Sequence, residues 1–326
     1  MRRAAGVLWA MLLSGPAAAA RQSVIHPAGE DAALVAGLFW WLLGGAVLLW
    51  LLMNGLFLYL TRLNPVPLSR RLAEMLIIGG GVLLPTVVLA VLLGVTLQKI
   101  PMHMRPGDGL RVHVTGEEWW WRVEYWPEGA DAPIVSANEI RLPAGQRTDV
   151  TLGSARVIHS FWIPALGGKL DMFPGRETRM SLLPQIPGTY RGQCAEFCGL
   201  SHALMAFEAV VMEPADFQAW LTAQAAPALP PADARAARGR AVFFAEGCGG
   251  CHAIRGTAAT AGAGPDLTHL GSRTTLASAT LPMTEAALAE WIADPESAKP
   301  GALMPGYGHL SGAELGDLAH YLKGLR

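Results

Sequence analysis

Charge is scarce in this sequence of 326 residues: Asp, Glu, Lys and Arg make up only 16% of it, and 25 basic against 26 acidic residues leave a net charge of −1. Nothing in that balance favours a nucleic-acid binder, which needs a basic surplus to meet phosphates. Cysteine is scarce too. Four residues are too few to staple a chain of this length as a disulfide scaffold, and they come as two close pairs, the pattern of cofactor ligation. Internal repeats are lacking. Intrinsic disorder is excluded, because the chain is 52% hydrophobic and carries 11 tryptophans.

What the chain has instead is apolar sequence gathered into long runs. Residues 1–20 read as a signal peptide: Arg2 and Arg3, the apolar stretch Ala4 to Leu13, then the small residues Ala18-Ala19-Ala20. No cysteine stands at that cleavage point, so a lipoprotein signal is not expected. Two uncharged runs follow, 32–61 and 75–98, each longer than the ~20 residues a helix needs to cross a bilayer. Arg62, Arg70 and Arg71 place the loop between them on the cytoplasmic side, which puts everything after Gln98 outside.

The large exported part divides again. Residues 105–221 alternate in short β-branched and aromatic runs: Leu110–Thr115, Trp119–Tyr125, Glu139–Leu142, Thr148–Leu152, Val157–Ile163, Thr189–Gln193 and Ala206–Met212. Gly, Pro and Asp punctuate them, and the pattern predicts an antiparallel β-sandwich or barrel. Residues 222–234 are Ala- and Pro-rich and read as a linker. Residues 235–326 return to helical spacing, with helices expected over Ala236–Glu246, Glu285–Ala293 and Ala313–Leu325.

Chemistry concentrates in two places. From Cys194 to Met205, twelve residues hold two thiols, an imidazole (His202) and a thioether, and His159 lies upstream in Ile158-His159-Ser160-Phe161-Trp162. Thiolate, imidazole and a weak thioether suit copper tuned for electron transfer. Two thiolates can bridge two ions, each ion then taking one imidazole. A C-x3-C pair alone also fits a disulfide, a redox pair or half a zinc site. A thioredoxin-like copper chaperone would need a βαβ pattern, which the region lacks.

The second place is Cys248-Gly249-Gly250-Cys251-His252, the c-type haem attachment motif, in which two thioethers hold the porphyrin and the His ligates iron. Met283 and Met304 compete as the sixth ligand. Met304, in Lys299-Pro300-Gly301-Ala302-Leu303-Met304-Pro305, is the expected one. His269, His309 and His320 are expected at the surface.

The run Cys-x-Glu-x-Cys-x-x-x-His-x-x-Met with the upstream His-Ser-Phe-Trp resembles subunit II of haem–copper cytochrome c oxidases. The segment from Leu166 to Arg176 and the two spans match as well, so the resemblance covers about residues 30–215. It implies a cupredoxin-like domain holding a binuclear CuA centre on His159, Cys194, Cys198, His202, Met205 and the backbone carbonyl of Glu196. The Glu196 carboxylate would help bind magnesium at the contact with subunit I. It further implies that electrons come in through Trp119 of the Trp119-Trp120-Trp121 segment, with Trp120 and Trp121 equally readable as core or interface aromatics, and that Glu74 stands at the mouth of a proton channel. Glu118 stands where the family usually has Gln.

Residues 235–326 resemble a class I cytochrome c: Gly239 and Phe243 on the first helix and Tyr321 on the last, where the two helices pack, and Gly264-Pro265-Asp266-Leu267, where the Pro265 carbonyl would bond the proximal His252. Together these imply a caa-type oxidase subunit, an all-α cytochrome domain following the copper domain behind a transmembrane hairpin. The implied partners are oxidase subunit I, which reduces oxygen, subunit III, and an external donor (cytochrome c or a cytochrome bc complex). The implied place is the bacterial inner membrane, with the metal domains on the periplasmic side. The CuA subunit of a nitric oxide reductase and a membrane-anchored copper and haem assembly module are the alternative readings. The charge count fits a tethered donor. Residues 105–221 carry 10 basic and 14 acidic groups while 235–326 carry 8 of each, and a tethered cytochrome can dispense with electrostatic steering.

Overall fold

A computed structural model describes residues 21–63, 67–99 and 105–326. The expected signal peptide lies outside the described residues. The described part of Met1–Ala33 packs with Pro106–Arg326 as one unit, and Leu34–Arg105 forms another.

In the second unit the apolar runs are helical. Helix α1 (Glu30–Leu58), which begins in the first unit, continues in π-helical turns over Tyr59–Leu63. After Ser69, whose hydroxyl accepts from the Leu72 amide, come α2 (Arg70–Met75), a π-helical stretch Leu76–Leu83 and α3 (Leu84–Lys99). Glu30–Leu63 and Arg70–Gln98 are long and apolar enough to cross a membrane. The few polar residues in these runs satisfy themselves. Asn54 donates to the Trp50 carbonyl at 2.8 Å, and the hydroxyls of Thr61, Thr86 and Thr96 reach the carbonyl four residues back at 2.7–2.8 Å. A hydroxyl or amide so bonded costs little in hydrocarbon.

Ten strands make two five-stranded sheets. One has the order β3 (Ile134–Ala137), β2 (Trp121–Trp126), β1 (Arg111–Gly116), β5 (Thr148–Ser154), β8 (Thr178–Leu182). The other runs β4 (Glu139–Pro143), β10 (Ala206–Met212), β9 (Gly188–Cys194), β6 (His159–Trp162), β7 (Leu170–Met172). Period-two burial builds the core between them. Val112 and Val114 of β1 and Trp121, Val123 and Tyr125 of β2 face inward, and their neighbours face out. The sandwich is mixed rather than purely antiparallel, because β1 runs parallel to β5 and β4 parallel to β10. Alternation reads the same in either direction, so the sequence pattern does not tell the two apart.

Helix α4 (Pro214–Ala225) buries Phe217 and Leu221 against the sandwich, and Trp220 stacks edge-on to Tyr125 at 5.1 Å. It runs four residues into the segment expected as linker, since an alanine-rich stretch is a good helix former once one face is packed. The cytochrome region holds α5 (Ala234–Ala245, capped by Asp233), the short pair β11 (Thr275–Leu276) and β12 (Leu281–Pro282), α6 (Glu285–Ala293), α7 (Pro295–Ala298) and α8 (Gly312–Gly324). A capping box between Ser311 and Glu314 starts α8. Helices α5 and α8 cross so closely at Gly239 that a Cβ there would lie 2.0 Å from the Asp317 carbonyl oxygen. Phe243 meets Tyr321 edge-on beside it, at 6.2 Å.

Candidate copper and haem sites

His159 opens β6 and Cys194 closes β9. These strands pair antiparallel, with Phe161 opposite Cys194, and that register brings the imidazole and the first thiol together. The loop that follows turns back through Gly199, at φ +114°, where a Cβ would also sit 2.9 Å from the Trp119 ring, so only glycine fits. Cys198 lies on this loop, His202 on a single 3₁₀ turn (His202–Leu204), and Met205 just before β10.

The donor atoms converge. Cys194 Sγ is 3.7 Å from His159 Nδ1 and 3.8 Å from Cys198 Sγ, and Cys198 Sγ is 3.5 Å from His202 Nδ1 and 3.7 Å from Met205 Sδ. The Glu196 carbonyl oxygen stands 3.1 Å from Cys194 Sγ, while its carboxylate side chain is exposed. All six residues expected at the copper centre are therefore adjacent. The sulfurs are far beyond the ~2.05 Å of a disulfide. Both imidazoles turn the same nitrogen, Nδ1, toward the sulfur pair, one beside each cysteine. His159 is fully buried and both cysteines nearly so.

Their mutual contact, with help from His159, holds the Cys194 thiol far below the usual range and drives Cys198 far above it. Both become thiolates only if cations sit between them. The donor set fits a sulfur-bridged pair of copper ions.

The haem motif follows α5. Gly247, in the left-handed conformation, ends the helix. Cys248–Gly250 makes a 3₁₀ turn, and His252 turns inward so that Nδ1 donates to the Pro265 carbonyl at 2.7 Å. Burial pushes the His252 imidazole down toward its neutral form, leaving Nε2 free as a ligand. Gly264 permits this approach, since a Cβ there would lie 2.6 Å from His252 Cε1.

A cavity of about 330 Å³ opens beside the motif, lined by Cys248, Cys251, His252 and Met304 but not by Met283. Arg273 also lines it, buried, with Nε bonded to nothing among the described residues. A buried, half-satisfied guanidinium fits a cavity meant for a carboxylate-bearing ligand, and with two thiols, an imidazole and a thioether the residues suit haem c. Of the histidines expected at the surface, His269 is instead buried, held by the Ala226 carbonyl at 3.0 Å.

The β domain supplies part of the cavity wall, through Glu118, Trp119, Trp120 and Arg156. Trp119 is 9% exposed, and its indole N–H donates to the Cys198 carbonyl at 2.8 Å. One residue therefore touches the copper loop and the haem cavity together. Trp121 is core, edge-on to Phe207 at 5.1 Å, and Trp120 lies half-buried under the Arg122 guanidinium. The negative charge of Glu118 is met by Arg156 at 3.4 Å. Glu74, on α2, pairs with Arg70 one turn back at 2.8 Å.

The family described as cytochrome c oxidase subunit II, periplasmic domain, matches residues 128–213, and the cytochrome c family matches residues 236–326. Cytochrome c oxidase subunit 2 of Alkalihalophilus pseudofirmus is 38% identical over 215 residues, covering 66% of this chain and 61% of that protein. The Bacillus subtilis protein of the same name is 35% identical over 229 residues, covering 67% and 63%. Among solved structures, the periplasmic domain of subunit II of cytochrome oxidase of Bradyrhizobium japonicum shares 28% identity with a TM-score of 0.32, covering 37% of this chain and 95% of that one. The chain spans about three fifths of the length of the curated relatives it matches.

Proposed function

Because the chain carries a cytochrome c oxidase subunit II periplasmic domain followed by a cytochrome c domain, we propose that it is the electron-transfer subunit of a membrane-anchored, proton-pumping oxidase of the caa type. Electrons from an external donor, a cytochrome c or a cytochrome bc complex, would come in at the cytochrome domain and leave through the copper domain. A partner subunit I then reduces oxygen to water, with subunit III alongside. Both metal domains would face the periplasm of a bacterial inner membrane.

His159, Cys194, Cys198, His202, Met205 and the Glu196 carbonyl would hold the copper pair. Cys248 and Cys251 would hold the porphyrin, and His252 and Met304 its iron. When bound, the two centres supply reversible one-electron chemistry. The chain's residues do the rest. Pro265 fixes the His252 ring, the two cysteines would share the charge of the copper core, and burial of His159, Cys194 and Cys198 keeps water from the sulfur pair. Trp119 would link the two. The exposed Glu196 carboxylate is free to bind magnesium with subunit I, and Glu74 is proposed for proton uptake on the resemblance alone.

The observation that carries this reading is Trp119, hydrogen-bonded to the carbonyl of one copper ligand while walling the haem cavity. Purified with its partner subunits, the complex should contain two coppers and one haem c per copy of this chain. Reduced by a donor, it should pass the electron from haem to copper and consume oxygen in preference to nitric oxide. Paramagnetic resonance of an isolated cupric ion, or zinc in place of copper, overturns the reading.

A further inference from the structure

We propose that Lys299 and Ser278 of the cytochrome domain are positioning residues, which lock that domain onto the backbone carbonyl of Trp119 and so fix the tryptophan that bridges haem cavity and copper loop. The inference rests on the electron-transfer reading above. Lys299 is 3% exposed and Ser278 1%. The Lys299 amine donates to the Trp119 carbonyl at 2.5 Å and reaches the Ala277 carbonyl at 3.4 Å. The Ser278 hydroxyl lies 2.9 Å from that same Trp119 oxygen and 3.1 Å from Asn138 Oδ1, which in turn accepts from the Trp121 amide.

Trp119 is thus held at both ends, its indole by the copper loop and its carbonyl by the cytochrome domain. A buried lysine with no carboxylate partner among the described residues is a costly choice, and burial pulls this amine down to about 7. A surface lysine would serve as well if the residue were only there for solubility.

The backbone around Ser278 points the same way. Ala277, Ser278 and Ala279 all have positive φ, at 51°, 60° and 59°. Three consecutive left-handed residues without a glycine are unfavourable and persist only where surrounding contacts hold them. Those contacts come from the β domain: Arg191 reaches the Ala279 carbonyl, and Thr280 donates to the Leu204 carbonyl one residue before the ligand Met205. Beside them Glu139, 5% exposed, accepts from both the amide and the hydroxyl of Thr274 at 2.7–2.8 Å. The strained turn is shaped for this seat.

The test uses the whole oxidase complex with Lys299→Met, Ser278→Ala and the double variant. Ser278→Ala leaves the turn no more strained than its alanine neighbours already are. The double variant leaves the Trp119 carbonyl buried without a donor. Backbone amides of residues 274–280 should then exchange with solvent about 10- to 100-fold faster. Haem-to-copper transfer after rapid reduction should slow, with copper and haem c content unchanged. Ser278→Ala alone should raise exchange about 2- to 10-fold, which keeps the test usable should the double variant fail to assemble. Exchange and transfer both unchanged in the double variant overturn the proposal. Failure of the unaltered complex to pass electrons from haem to copper sinks the underlying reading instead, and amide exchange still decides the latch.

Discussion

Gly116 closes β1 opposite Trp121, directly under the His159 imidazole. A methyl placed there would lie 2.6 Å from His159 Cδ2 and 2.9 Å from Cγ, whereas ordinary contact begins at 3.4 Å. In Gly116→Ala the ring or the strand must therefore yield by about 0.8 Å, while metal–ligand distances tolerate only about 0.2 Å. The ring has little room. His159 is fully buried, and Trp121 flanks it at 6.2 Å between centroids. Relief by shifting the strand is overpacking, which costs about 1–3 kcal/mol.

The substitution should lower copper content and alter the paramagnetic spectrum of what copper remains. The haem spectrum is the internal control, because Gly116 belongs to the β domain and the haem ligands to another core. A Gly116→Ala chain that binds two coppers with an unchanged spectrum would show that the ring is free to move and that this geometry does not set the site.

Met304→Ala should abolish the low-spin Met/His haem spectrum and leave copper bound, and Met283→Ala should leave the spectrum intact. The reverse outcome reassigns the ligand. Gly239→Ala gains about 1 kcal/mol of helix propensity but forces α5 and α8 apart where a Cβ would sit 2.0 Å from the Asp317 oxygen. The cytochrome domain should melt at lower temperature by calorimetry, with copper retained.

Docking should also depend on pH. The Lys299 amine is held at about 7 when docked, against 10.5 for an ordinary lysine. Between those values the undocked state binds the extra proton, so docking should strengthen as pH rises through that window and level off at its weakest below about 7. Amide exchange at residues 274–280, corrected for its intrinsic pH dependence, measures this, and Lys299→Met should flatten the profile.

Much of the site is legible in the sequence because metal ligands crowd together along the chain. Cys194, Cys198, His202 and Met205 run from the end of β9 through one loop and turn to the start of β10, and Cys248, Cys251 and His252 lie together around another turn. His159 is the distant member, and only the β6–β9 register explains how it arrives. Strands with clear alternation, such as β5, stand where their pattern puts them. The segments that become β3, β7 and β8 do not stand out, since β7 has three residues and β8 buries adjacent positions.

Least legible are the residues that act across domains. A lysine before Pro-Gly and a serine between alanines look like surface loop, and nothing local reveals that another domain will bury them. Arg273 is similar. Its meaning lies in a cavity whose walls come from residues far apart in sequence.

On the proposed electron path, sealing Trp119 beneath the chain's own cytochrome domain would change the kinetic order of the step that residue serves. A diffusing carrier must collide, orient and depart, and each encounter slows as dissolved ions screen its field. Here both sides of the contact share one polypeptide, so dilution does not separate them and buffer strength has little to act on. The rate limit would then move outward, to whichever molecule reloads the cytochrome domain.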